Sequence, residues 1–357
     1  MTHNARGNVK LSESQSASSV HGGCEMEMVS VIIPTYNRAD MLVDTIEAVF
    51  AQTYRPIEVV VVDDGSTDDT REVISRRWPE INYVWQEHHG RPSVGRNAGI
   101  RHSRGEFIAL LDSDDLMLPQ QLETLVRFLR DHPHIQFAFS DFFVMEHDGI
   151  QDKTFLTNHA RFATTPKVTS GPGRCVLRRD EAYEALMFGN FIGTSSVMAR
   201  RQIFDRVGLF DESLHNGDDL DMWFRIAREY DIGFIVEPLT ACRRTPDSIS
   251  SKIYIHEAKL VVAERQARYQ MSPEARGALL RYIADIHFDI GCRESQHGCY
   301  WRATASFLRA IARRPRWPLP YWALTKVVVR AALGAKRVEI LRSAMQTIRY
   351  RRGRCVS

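Results

Sequence analysis

No apolar run in this 357-residue chain approaches the ~20 residues that a membrane-spanning helix needs. Residues 1–27, with LSESQSASSV and HGG, lack the apolar core of a secretory signal. They also carry too little apolar surface to offset ordering entropy and are expected to form a disordered leader. Cys24, Cys175, Cys242, Cys292, Cys299 and Cys355 are scattered with no CxxC pair. This usage suits a reducing compartment better than a disulfide framework, so a cytoplasmic location is expected. There is no GxxxxGK[ST] loop, SGPG at 170–173 completes no dinucleotide fingerprint, and no Ser-His-Asp arrangement suggests itself. His88, His89, His132 and His134 lack metal-ligand spacing and are expected to be exposed loop residues. No repeat of 20–50 residues is present.

What is there is an ordinary globular composition, 44% hydrophobic and 25% charged, long enough for two or three domains. The net charge of +3 hides an asymmetry. Residues 301–357 hold 14 Lys/Arg against one acid, Glu339, a net +13, while the first 300 residues carry a net −10. The C-terminal piece is therefore suited to an anionic surface, membrane and nucleic acid being the usual candidates.

Three short apolar runs, 29–33, 57–62 and 107–111, are rich in β-branched residues and suit strands buried on both faces. Helical spacing at 41–51 and 70–77 separates them, which predicts an α/β domain with right-handed crossovers. All three runs end in polar clusters: Thr35 to Arg38, Asp63 with Asp64, and Asp112 to Asp115. In such sheets ligands collect at the carboxyl ends of the strands. Asp112 and Asp114 put two carboxylates just past a strand, a donor pair suited to Mg²⁺ or Mn²⁺ shared with substrate phosphates. The stretch 147–179 reads as loop, 219–230 as a helix, and everything from about 255 onward as helical.

Together VSVIIPTYNRADML, EVVVVDDGSTDDT, SVGRNAGI, GEFIALLDSDD and GDDLDMWFR resemble, in this order and spacing, the family 2 glycosyltransferases of the GT-A fold. The resemblance covers roughly residues 28–250. It implies a Rossmann-like, mainly parallel sheet flanked by helices, here with an α-helical C-terminal extension. The implied division is a GT-A domain over 28–254 (28–140 nucleotide-binding, 141–254 acceptor) and a basic helical region over 255–357. It also implies that Pro34, Tyr36 and Arg38 line the nucleotide, that Asp64 accepts a hydrogen bond from the base, and that Arg96 lies near the nucleotide. Asp112 and Asp114 match the family's ribose and metal ligands, with Asp114 the stronger match for direct coordination. Asp219 matches the catalytic base of an inverting transfer, and Asp218 stands where Glu is usual. Thr245 stands where the family often has His, so diphosphate neutralisation is expected to fall on Arg243 or Arg244.

Several residues have a plainer alternative. Asp63 is equally a turn residue, Asp115 is expected to N-cap a helix over 116–130, and Asp221 with Arg225 is expected to form a helix ion pair. On a helical wheel after Pro320, Lys326, Arg330 and Arg337 share one face. Val327, Val328, Ala331, Ala335 and Val338 fall largely on the other. This reads either as a packed hairpin helix or as a basic amphipathic contact with anionic lipid, reinforced by the arginines at 349–354. The function implied is transfer of a sugar from a nucleotide diphosphate sugar to a hydroxyl of a glycan or lipid-linked acceptor, in polysaccharide, lipopolysaccharide or other glycoconjugate synthesis. It would use Mn²⁺ or Mg²⁺ and no nucleic acid. The rivals are a sugar nucleotidyltransferase and a non-catalytic nucleotide-sugar-binding protein.

Overall fold

The computed structural model describes residues 27–146, 149–156, 159–244 and 255–333. The leader at 1–26, Thr245, Arg337 and the arginines at 349–354 lie outside the described residues. β1 (Val29–Thr35), β2 (Ile57–Asp63), β3 (Asn82–Trp85) and β4 (Phe107–Leu110) form an all-parallel half-sheet in the order β3-β2-β1-β4. β1 and β2 are buried along nearly their whole length because helices cover both faces, the pattern that their uninterrupted apolar runs require. Val29, Val31 and Ile33 face α1 (Ala39–Phe50) and the later α4 (Gln121–Asp131). On the opposite face, Val60 and Val62 pack on Ala98 of α3 (Pro92–His102). α2 (Thr70–Arg77) follows β2.

α3 lies unusually close to the sheet. A Cβ at Gly99 would come 2.2 Å from Ile32 Cγ2, and one at Gly95 would come 2.9 Å from Pro34 Cβ. The two glycines let the helix press onto β1 and carry Arg96 to the strand ends.

The second half is mixed. β5 (Leu116–Met117) pairs with β11 (Ile232–Arg243), while β6 (Phe137–Glu146) runs parallel to β11 and takes β7 (Gly149–Thr154) at its side. After α5 (Ala160–Thr164) come β8 (Val168–Gly171) and β9 (Arg174–Leu177), and β9 closes on β11. The expected loop over 147–179 is thus interrupted by three short strands and a one-turn helix. Val168, Thr169 and Ser170 of β8 are all exposed, so no buried face imposes a period-2 signal. α6 (Arg179–Leu186), β10 (Val197–Arg200), α7 (Ile203–Val207) and α8 (Asp218–Glu229) complete this half, with β10 joining β4 to β6.

The expected helix over 116–130 begins only at Gln121, because residues 116–117 are drawn into pairing with β11. Asp115 is accordingly no N-cap. Four helices follow: α9 (Ile255–Gln266), α10 (Pro273–Gln296), α11 (Tyr300–Arg313) and α12 (Pro318–Leu333). The first two share one continuous core with α6 and α8, through Val262, Leu279 and Ile283 beside Leu186, Leu220 and Trp223. The last two form a satellite around Ala303, Phe307 and Val327. Only Val327 of the two central valines faces that satellite core. Val328 is 55% exposed, and Ala331 is exposed too, so the apolar face is only partly packed, against the reading as a hairpin helix packed along that whole face.

Candidate active site

The ends of β1 and β2 are tied together by backbone and short polar side chains. Asn37, with φ +49°, donates its backbone N–H to Ser66 Oγ (2.9 Å) and accepts the Thr67 N–H on Oδ1 (2.7 Å). Asp63 is spent on the turn: it accepts from Ser66 N at 2.7 Å and from the Tyr83 hydroxyl. Asp64 is buried and accepts from Gln86 Nε2 (2.7 Å) and from the backbone N–H groups of His89 (3.1 Å) and Gly90 (2.8 Å).

His88 and His89 are about half exposed, as expected of loop residues, yet both lie at the site. His88 stacks on Tyr36 with ring centroids 3.9 Å apart, and its Nδ1 is 3.1 Å from the Asp64 carboxylate. Their 24-residue separation from Asp64 left no local sequence signal. Tyr36 remains 40% exposed, so part of its ring is free to meet a planar ligand.

Beyond β4, Asp114 pairs with Arg38, and Asp112 accepts from Arg96 NH2 at 2.8 Å. Burial, and behind it the charge of Asp112, pushes the Asp114 carboxyl above its ordinary value, with Arg38 opposing. Arg96 is buried and reaches further: its NH1 donates to Asp218 at 2.8 Å. Burial disfavours the Arg96 charge, but Asp112 and Asp218 outweigh that effect and hold the guanidinium well above its usual value. One cation therefore joins the strand-end acids to the first turn of α8.

Asp115 sits behind this turn. It accepts the Ser195 hydroxyl at 2.5 Å and the Arg243 N–H at 2.8 Å, and the Ser195 oxygen in turn accepts the Asp112 N–H at 3.1 Å. Burial, with Asp112 and Asp114 adding to it, pushes Asp115 up to about 8. Its partners lie 80 and 128 residues away, which is why spacing alone misassigned it.

α8 starts at Gly217, whose φ of +74° only glycine adopts freely, and opens with Asp218, Asp219 and Asp221 at the positive end of the helix dipole. Asp219 is partly open to solvent. It accepts from Asn190 Nδ2 at 2.9 Å and from Leu220 N at 2.7 Å. Burial among protein atoms raises its carboxyl, with Arg96 opposing. Two C-terminal helices reach the same place. Lys259 of α9 lowers the Asp219 proton affinity, and Tyr282 of α10 is pushed up to about 12 by burial and then by the Asp219 charge.

Asp221 forms the expected pair with Arg225 (2.9 Å), and Arg265 of α9 bridges Asp211 (2.7 Å) and Asp221 (3.2 Å). Asn97 braces the loop before α8, donating to Phe210 O (2.9 Å) and accepting the Phe210 N–H (2.9 Å). Asn97, Asn190, Lys259, Arg265 and Tyr282 were not singled out from sequence.

At the end of β11, Arg243 lies 3.4 Å from Asp44, and its buried Nε has no hydrogen-bond partner among the described residues. Arg244 is more exposed and pairs with Glu146 at 3.6 Å.

A mainly parallel nucleotide-type half-sheet, an acidic turn after β4 and an acidic helix start opposite it define a GT-A fold. Residues 30–187 match the family model described as glycosyl transferase family 2. It is 30% identical over 217 residues to an uncharacterized glycosyltransferase of Rickettsia felis, covering 60% of this chain. The chain spans 33% of that protein's length. Among solved structures it is similar to residues 1–349 of S. aureus TarS in complex with UDP-GlcNAc, with TM-score 0.59, 18% identity, and 85% of this chain and 88% of that one covered. It is also similar to the mannosyltransferase PcManGT of Pyrobaculum calidifontis in complex with GDP-Man and Mn²⁺, with TM-score 0.51, 20% identity, and 89% and 84% covered.

Proposed function

We propose that the protein transfers a glycosyl unit from a nucleotide diphosphate sugar to a hydroxyl of a glycan or lipid-linked acceptor, with inversion at the anomeric carbon. The observation that carries this reading is the Arg96 bridge. It holds the Asp112–Asp114 turn and the α8 acids in one unit, so that a donor gripped at the strand ends would meet a carboxylate across from it. Tyr36 offers the base a flat face beside Pro34, and Asp64 is the acceptor for a base N–H. Arg38 and the buried Nε of Arg243 are cations for the diphosphate, with Arg244 a more peripheral one.

Asp114 and Asp112 suit a hard divalent ion, because they set two carboxyl groups on one turn just past β4. Arg38 is the cation that Asp114 holds in its place. Mn²⁺ or Mg²⁺ there would stabilise charge on the leaving diphosphate. Asp219 takes the proton of the acceptor hydroxyl, and the freed oxygen bonds to the anomeric carbon. The bond to the diphosphate oxygen breaks on the opposite face, which is inversion. Its raised proton affinity brings Asp219 closer to neutral pH, where a general base is most effective. The complexes of TarS with UDP-GlcNAc and of PcManGT with GDP-Man and Mn²⁺ support a donor and a metal of these classes.

We read 28–254 as the transferase unit and 255–357 as its helical extension. The extension's basic charge suits attraction to an anionic membrane face, as an enzyme with a lipid-linked acceptor in glycoconjugate synthesis would use. Incubation with a panel of nucleotide diphosphate sugars and Mn²⁺ should release nucleoside diphosphate. EDTA or Asp114→Ala should stop the release. Full activity in EDTA would sink the metal assignment, and pyrophosphate release from a nucleoside triphosphate would identify a nucleotidyltransferase instead.

A further inference from the structure

The α11–α12 hairpin is apolar on both sides. Inward, Phe307 and Val327 are buried in the satellite core. Outward, the hairpin carries seven of the 14 large apolar side chains that are exposed among the described residues. Trp301 (73% exposed) and Leu308 stand seven residues apart on α11. Tyr321 with Val328, and Trp322 (62% exposed) with Val329, repeat that spacing on α12. Seven residues are two helical turns, so each pair lies on one face and together they make stripes rather than scattered contacts. Cations are set among them. From 301 to 333 the chain has seven Lys/Arg and no acid. Of these seven, only Arg314 is in an ion pair among the described residues, with Asp285 at 3.6 Å. Lys326 Nζ lies 3.0 Å over the Trp322 ring, its ammonium drawn back along the apolar face.

We propose that this outer face inserts its aromatic and aliphatic side chains into the headgroup region of an anionic lipid bilayer, with the surrounding arginines on the phosphates. Trp and Tyr favour that boundary, and a helix lying in it needs an apolar face flanked by cations. No described helix is long and apolar enough to cross a membrane, so the contact lies along the surface. An acidic protein surface, a second copy included, could meet the cations, but charge alone gives the exposed tryptophans and valines no apolar phase to enter. The inference rests on the attraction to anionic membrane proposed above and adds a component that salt does not screen.

The test is sedimentation of the full chain with vesicles of phosphatidylcholine alone and with about one third phosphatidylglycerol, at low and at high salt. The wild type should bind the anionic vesicles, keep a measurable fraction bound at high salt, and have its tryptophan fluorescence quenched by brominated acyl chains. Trp301→Ser with Trp322→Ser should weaken binding on the order of tenfold and abolish the salt-resistant fraction and the quenching, with donor binding unchanged. Leu308→Ser with Val329→Ser should do the same more mildly. Binding that vanishes at high salt in wild type and is unaltered in both variants would overturn insertion while leaving the electrostatic reading intact. Failure to prefer anionic over neutral vesicles would overturn the electrostatic reading. Light scattering that finds a dimer in wild type and a monomer in the tryptophan variant would assign the face to a second copy and overturn the proposal.

Discussion

The strand-end region and the helical region that follows residue 254 handle charge in opposite ways. At the strand ends, charges are buried in matched sets: Arg38 with Asp114, and Arg96 with Asp112 and Asp218. On α11 and α12 the charges are of one sign and stand among exposed aromatics. Between these extremes, α9 and α10 lend Lys259, Arg265 and Tyr282 to the surroundings of α8. Charge buried in sets fixes geometry, whereas charge left unmatched is available to something outside the chain. The comparison also divides the helical region itself, with α9 and α10 belonging to the first kind and α11 and α12 to the second.

The largest expected effect falls on the buried side of this divide. Asp219→Asn keeps the size and the Asn190 contact but removes the proton acceptor, and turnover should fall by about 10²–10⁴ with donor affinity little changed. Because burial raises the Asp219 carboxyl and the reaction needs it unprotonated, wild-type turnover should rise with pH through that raised value. It should be lost on acidification at a higher pH than an ordinary carboxylate would dictate. A pH–rate profile of kcat, with the acid limb absent from the residual activity of Asp219→Asn, would bear this out. Near-normal turnover in that variant would move the role to Asp218 or Asp221.

Stability should separate the two regions next. Gly99→Ala forces a methyl group to within 2.2 Å of Ile32 Cγ2 and should cost about 1–3 kcal/mol in denaturant unfolding. Val328→Ser, on the open face of α12, should change stability by no more than about 0.5 kcal/mol. Equal effects would mean that the hairpin face is covered in the free protein.

The smallest effect concerns the intermediate helices. Arg265→Ala removes the bridge from α9 to Asp211 and Asp221 at a site about one third exposed, so its stability cost should stay near 1 kcal/mol or below. Turnover should nevertheless drop a few-fold, with donor affinity retained, because the helix bearing Asp219 loses a brace. An unchanged kcat would make α9 a bystander to the chemistry.

The parts of this architecture that were legible in sequence are those whose cause is local. β1 and β2 announce themselves because burial on both faces requires continuous apolar runs. Asp112, Asp114 and Asp219 could be singled out as candidates because short motifs carry them. Asp115 was misread as a cap because its partners, Ser195 and Arg243, are brought to it by the sheet, and for the same reason nothing local announced that the exposed His88 meets Tyr36 and Asp64. A helical wheel could not tell the packed Val327 from the open Val328, because it knows only the helix, whereas α12 packs on α10 and α11 with part of its apolar surface and leaves the rest facing outward.

The shared guanidinium of Arg96 has a consequence for the order of events in a catalytic cycle. The negative charge of Asp112 helps to hold up the proton affinity of Asp219. A divalent ion held by Asp112, as proposed, would cancel part of that charge and lower the proton affinity of Asp219. By thermodynamic reciprocity, a deprotonated base tightens the grip on the cation by the same factor. Binding of the metal alone should therefore be accompanied by proton release, seen in calorimetry as a binding heat that changes with the ionisation enthalpy of the buffer. The release should be missing in Asp219→Asn. Such an arrangement would tie the proposed base to the proposed metal site through charge alone.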